Sequence, residues 1–414
     1  MKILIQDANI ILPNKVITGW LIVEEGKIAD WNEGVYPTGD SEVKETALST
    51  RNCSLAQGLS STKPTQIVDA KGLYLSPGFI DLHVHGGGGY DFTDWCPDSF
   101  IVASDTHMRH GVTSIVPTLM SASYDDIIKN IDYFKATPLS GSGPNLIGLH
   151  LEGPYLAAEY KGAMDDRYLR NPDPNEYQAI IERAEGNIVM WTIAPELKGA
   201  LEMGSHLIKH EIIPSIGHSG AEYAKILEAY HCGFHHITHL YSAMSTIVRK
   251  HGFRYPGVLE SGFIIPEMTV QLIADGCHIP LELLEMTYRF KGASNICLIT
   301  DAIRCAGTDT YGYSKDGVGN DILIEDDVAK LPDRSAFAGS IATADRLIRV
   351  MKDQVGVPIH DCIAMICQTP AKVLRLDKRK GEISTGFDAD LILFDDNINI
   401  KWVMVNGHVT HSTL

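Results

Sequence analysis

No stretch of about 18 uninterrupted apolar residues occurs in this 414-residue chain, so a membrane-spanning helix is not expected. The opening M-K-I-L-I-Q-D-A is broken by Gln6 and Asp7, which argues against a secretory signal core. Positive charge is scarce: 35 Lys and Arg face 52 Asp and Glu, a net −17. Such a field repels polyanions, so no nucleic-acid partner is expected. Cysteine is sparse and unpaired in pattern: the eight Cys form no C-x-x-C and no zinc-knuckle spacing. They read as free thiols in a reducing cytoplasm. Solenoid repeats and low-complexity tracts are missing as well.

Apolar residues make up 44% and charged residues 21%, the balance of a globular protein with a sizeable core. The length suits one large barrel plus a smaller unit. Short strand-like runs open the chain: K-I-L-I, V-I-T-G-W-L-I-V and the E-E-G-K-I hairpin. Residues 37–66, rich in Ser, Thr and Gly, read as a flexible surface insertion.

From residue 77 the rhythm changes. Apolar runs at 78–85, 112–118, 145–152, 188–196, 212–219, 235–241, 270–276 and 295–302 alternate with helix-length stretches. Runs apolar on both faces suit parallel strands, and eight strand–helix units can close into a barrel. Beyond about residue 375 short strands return, and the two ends are expected to pair in one small sheet domain. The expected boundaries are 1–76, 77–375 and 376–414.

Catalytic groups of such barrels sit at the carboxyl ends of the strands. Here those ends carry His83 and His85, then Glu152, His218, His239 and Asp301. His83 and His85 are two apart on a strand, so both point into the lumen, placed to share a metal ion. Glu152 ends a buried strand, where a carboxylate is costly unless paired or metal-bound. Asp301 can take a proton from an attacking water and pass it to a leaving group; a helix cap is the plainer alternative. His150 reads as a packing residue deeper in the barrel. The run Gly86–Gly89 fits no phosphate-loop spacing and reads as a flexible turn. Arg254 and His278 could meet an anionic substrate.

The motifs P-G-F-I-D-L-H-V-H, H-L-E-G-P, T-I-A-P-E, G-H-S, T-H-L-Y-S-A-M, A-D-G-C-H, L-I-T-D-A, F-A-G-S and G-F-D-A-D-L resemble the amidohydrolase superfamily. Within it they look like the N-acetylglucosamine-6-phosphate deacetylase family, in order from about residue 67 to 409. The resemblance implies a (β/α)8 TIM barrel with a small β-sandwich built from both termini. It implies deacetylation of an amino-sugar 6-phosphate to the free amine and acetate. Glu152, His218 and His239 match the principal metal ligands, and His83 and His85 match those of a second metal. Asp301 matches the catalytic acid/base and is also expected among the metal ligands. Ala163, Ser242, Ala243, Arg254 and His278 match substrate positions, with Arg254 facing the phosphate and His278 also orienting the reacting group. One or two divalent ions are implied: zinc first, with iron, manganese or cobalt as alternatives. A homodimer whose partner helps to close the phosphate site is implied too.

This chain departs from the family at Ser242, where Asn is usual, at Tyr255, where Glu is usual, and at Met164, where His is usual. All three departures lie on the substrate side. Alternatives are a related N-acetyl amino sugar, an amidohydrolase of cyclic amides, and a degenerate barrel without metal. The fourth run ends A-P-E with no Lys to bridge two metals, which leaves that role to Glu152.

Overall fold

The computed structural model describes residues 1–37, 64–137, 143–317 and 319–414. The expected insertion over 37–66 falls almost wholly outside the described residues.

Eight parallel strands form the central layer: β1 Phe79–Val84, β2 Val112–Leu119, β3 Leu149–Glu152, β4 Ile188–Ile193, β5 Ile213–Ile216, β6 His236–Ile237, β7 Thr269–Leu272 and β8 Ile296–Leu298. Each pairs with the next in chain order. Between β8 and β1 closure comes from the backbone N–H of Asp301, which donates to the His83 carbonyl at 2.9 Å. The eight runs read from the sequence are thus the eight strands of a nearly closed barrel.

Helices cover the outside. Pro97–Arg109 and Tyr124–Ala136, for example, follow β1 and β2 and bury Phe100, Ala103, Ile127 and Ile131 against the strands. Ser123 caps the second of them by accepting from the Asp126 N–H, as expected for an exposed first turn. The outward strand residues are apolar, among them Ile115, Leu151 and Trp191, but the lumen is rich in polar groups. Thr118, His150, Thr192, Ser215, His236, Thr238 and Gln271 are all buried there. Buried polar groups are costly unless bonded. Here Thr192 and Thr238 share a 2.8 Å bond, and Ser215 and Thr238 one of 2.6 Å. This hydrogen-bonded plug forms a rigid floor beneath the strand ends.

Both chain ends contribute to one eight-stranded sheet. Its path runs His408–Ser412, Ile400–Val405, Leu391–Phe394, Tyr74–Pro77, Lys2–Leu12, Lys15–Glu24, Lys27–Glu33, with Gln66–Asp69 beside Lys2–Leu12. Backbone bonds from Ile28 to Phe387 and from Ala389 to Gly26 bring the far edge back toward Leu391. The sheet so closes around a core of its own that includes Ile3, Leu21, Leu75, Leu391 and Trp402.

One element was not anticipated. Residues Gly312–Lys315, Asp321–Glu325, Val328–Lys330 and Phe337–Gly339 form a four-stranded sheet inserted after β8. Its last strand reaches the mouth of the barrel.

Candidate metal centre and active site

His218, His239 and Asp301 lie just past the last paired positions of β5, β6 and β8, while Glu152 is the last residue of β3 and His83 lies within β1. His218, His239 and Asp301 take positive φ angles of 48°, 27° and 47°. Non-glycine residues in this region are strained, and such strain gathers at functional sites. The strain turns three side chains inward toward the barrel axis.

They meet there. Glu152 lies at the centre, with its two oxygens divided between two pairs of imidazoles. Oε1 is 3.1 Å from His218 Nε2 and 2.9 Å from His239 Nε2. Oε2 is 3.0 Å from His85 Nε2 and 3.5 Å from His83 Nε2. Asp301 Oδ1 stands 3.3 Å from His83 Nε2 and 3.2 Å from His85 Nε2. Two triplets result: His83, His85 and Asp301 on one side, and Glu152, His218 and His239 on the other.

The donor set fits metal ions. Within the pairs, the Nε2 atoms lie 3.3 Å apart for His83 and His85 and 3.1 Å apart for His218 and His239. Tetrahedral bonds of about 2.0–2.1 Å set neighbouring ligand atoms about 3.3 Å apart. The second ring nitrogens fix the tautomers. His83 Nδ1–H donates to Gln271 Oε1 at 2.9 Å, and His218 Nδ1–H donates to the Tyr160 carbonyl at 2.8 Å. Both bonds leave the Nε2 lone pair facing the site, the arrangement that outer-shell partners impose on metal-binding histidines.

The charges of these groups are set by one another. Burial alone would neutralise Glu152, but the adjacent His83, His218 and His239 hold it well below the usual carboxylate range. Burial likewise opposes charge on His85, yet the carboxylates of Asp301 and Glu152 push it up to about 10. Burial dominates at His150, whose pKa falls well below that of free imidazole. This neutral ring bonds Thr118 and Thr192 and packs on His83 at 4.6 Å, a supporting position as the sequence suggested.

Above the centre lies a cavity of about 430 Å³. His278 lines it, as do Ala163, Ser242 and Ala243. Asp275 fixes His278, accepting from its Nδ1–H at 2.7 Å and from its backbone N–H at 2.8 Å. Phe337, from the inserted sheet, packs on the His278 ring at 4.7 Å. Arg254 is not brought there within one chain. It lies exposed on the hairpin Val248–Lys250 and Phe253–Tyr255, because that hairpin projects outward from the barrel after β6. Among the described residues no Lys or Arg lines the cavity.

Several supporting groups escaped the sequence reading. Gln271 joins the His83 ring to the His239 backbone N–H (3.2 Å) and to His236 Nε2 (3.1 Å). Glu196 accepts from Ser219 Oγ at 2.7 Å and from the Gly220 N–H at 2.6 Å, which holds the loop carrying His218. A lone polar residue inside a buried strand, as in T-V-Q-L, was the available signal for Gln271.

The sequence profile of the amidohydrolase family matches residues 74–410. The chain belongs to the amidohydrolase family. Among relatives of this amidohydrolase, the N-acetylglucosamine-6-phosphate deacetylase of Caenorhabditis elegans is 32% identical over 82% of this chain and 83% of its own length. The Bacillus subtilis protein of the same name is 29% identical, over 99% and 97%. A solved structure of the Mycobacterium smegmatis deacetylase, a mutant in complex with N-acetyl-D-glucosamine-6-phosphate, superposes with a TM-score of 0.85. It is 26% identical and covers 100% of this chain and 99% of that one.

Proposed function

We propose that this amidohydrolase removes the acetyl group of N-acetylglucosamine 6-phosphate, giving acetate and glucosamine 6-phosphate. The observation that carries the reading is Glu152, whose two oxygens each meet a pair of imidazoles beside Asp301 on the cavity floor. Near-full-length similarity to deacetylases of this substrate supports it.

His83, His85, Glu152, His218 and His239 would hold one or two divalent ions, with Asp301 beside them. Imidazole and carboxylate donors favour zinc, and also admit iron, manganese or cobalt. A divalent cation held there supplies polarisation of the amide carbonyl and makes water a nucleophile near neutral pH. Asp301 accepts a proton from the attacking water and returns it to the departing nitrogen, so that the amine leaves neutral. His278, with Nδ1 committed to Asp275, presents Nε2 to the substrate and steadies the oxygen on which charge develops. Ala163, Ser242 and Ala243 shape the sugar pocket.

The phosphate needs a cation that one chain's cavity does not line. A homodimer would supply it through the exposed hairpin that carries Arg254. The same observation favours a second reading, an unphosphorylated N-acetyl amino sugar. Free thiols at all seven described Cys suit a cytoplasmic enzyme. The test is acetate release from N-acetylglucosamine 6-phosphate, its unphosphorylated analogue and a set of cyclic amides. The proposal expects the phosphorylated sugar to be preferred. Ring opening of cyclic amides without acetate release would overturn it.

A further inference from the structure

The glycine run after β1 has no role in the chemistry above, and it is not the flexible turn that its composition suggested. Residues 85–92 are laced to the segment that follows β8. His85 N–H and Gly86 N–H both donate to the Ala302 carbonyl at 2.8 Å. Gly88 N–H donates to Ala306 and Gly89 N–H to Arg304, each at 2.8 Å. Glycine is needed for this fit. A side chain at Gly86 would strike Tyr90 and Asp91, and one at Gly88, with φ of 61°, would strike Thr106.

Two side chains fasten the seam. Asp91 is 1% exposed. Its Oδ1 accepts from the Arg304 backbone N–H at 2.7 Å. Its Oδ2 lies 3.7 Å from Arg304 Nε and takes no hydrogen bond among the described residues. Arg304 spreads its fork over three partners: the Gly89 carbonyl at 3.1 Å, the Asp316 carbonyl at 3.2 Å and Asp94 Oδ2 at 2.5 Å. Asp94 Oδ2 in turn accepts from the Asp91 N–H at 3.0 Å. The seam joins the two loops that carry His85 and Asp301, which stand 3.2 Å apart across it. Glu152, His218 and His239 come from other strands and take no part in it.

We propose that Asp91 and Arg304 are a positioning pair, which holds His83, His85 and Asp301 in coordinating geometry without touching the other half of the centre. The proposal rests on the metal reading above. It follows that occupancy of the two halves is separable, and that this pair sets the affinity of one of them. A buried carboxylate and an Arg fork bonded across this seam fit groups that orient a neighbouring site, as outer-shell carboxylates do for metal-binding histidines.

The test is titration of the full chain with Co2+, following visible absorption and bound metal per chain. The wild-type chain should take up two equivalents. Asp91→Asn and Arg304→Met should leave the first equivalent unchanged and weaken the second by about 10–100-fold. Arg304→Lys keeps the charge but not the fork, so it should restore the second step only in part. Should Asp91→Asn fail to fold, the two Arg304 variants carry the same comparison. Two equivalents at wild-type affinity in the variants would overturn the positioning role and leave the metal reading standing. Loss of both equivalents together would overturn it too, since the pair would then be general scaffold. A wild-type chain that takes up one equivalent, unaffected by His85→Ala, would sink the metal reading of this half and the pair with it.

Discussion

Replacing Gln271 by Leu keeps the shape of the residue and removes every polar contact that its side chain makes. Three buried groups lose their partner: the His83 Nδ1–H, the His239 backbone N–H and His236 Nε2. Each buried orphan costs about 1–3 kcal/mol, so the variant should lose at least about 3 kcal/mol of stability. The functional loss is separate. Without Gln271 Oε1, nothing fixes which His83 nitrogen carries the proton, and Nε2 is no longer held ready as a ligand. Loss of an outer-shell partner typically weakens metal binding 10–100-fold, or about 1.4–2.7 kcal/mol. Gln271→Glu keeps an acceptor toward His83 but removes the donor to His236. It should therefore bind metal more tightly than the Leu variant. Competition with a colorimetric chelator measures affinity, and denaturant titration measures stability. A Leu variant with wild-type metal affinity would refute the claim that Gln271 orients His83.

Asp301→Asn should keep its metal content and lose at least about 10²-fold in turnover, since the proton shuttle is gone; near-normal acetate release would count against that role. Arg254→Ala should raise KM for the phosphorylated sugar more than for its unphosphorylated analogue, by about 2–4 kcal/mol of binding. Equal effects on both would mean that Arg254 does not read phosphate. Asp345 offers a test of pH dependence away from the centre. Burial would raise its pKa, but His110 and Arg349 outweigh burial and hold it at about 2. Its folded pKa is depressed, so its contribution is full above the unfolded value near 3.9 and fades as pH falls toward 2. The shift corresponds to about 2 kcal/mol. Denaturation midpoints of Asp345→Asn and wild type should therefore differ at pH 6 and converge toward pH 3; a constant gap would contradict the assignment.

The barrel was legible because apolar residues recur in its eight strands at helix-length intervals, and His83, Glu152, His218, His239 and Asp301 fall at or near their carboxyl ends. H-x-H spacing placed His83 and His85 on one face without further information. The supporting shell was harder to read. Tyr160 acts through its carbonyl, which any residue would supply, and Glu196 bonds a loop more than twenty positions away. The inserted sheet escaped because its strands are only three to five residues long. The glycine run misled because composition reports conformational freedom and not the neighbours that use it. Tertiary bonding turned a flexible sequence into a fixed seam. Arg254 illustrates a different limit: its place in a motif does not reveal that it lies exposed on a hairpin, outside the cavity lining.

The most direct measurement is an anomalous difference map from crystals grown with zinc. It should show a peak about 2.0–2.2 Å from Glu152, His218 and His239, and a second near His83, His85 and Asp301. A map with no peak among these residues, in crystals whose surface sites bind zinc, would contradict the metal-dependent hydrolase.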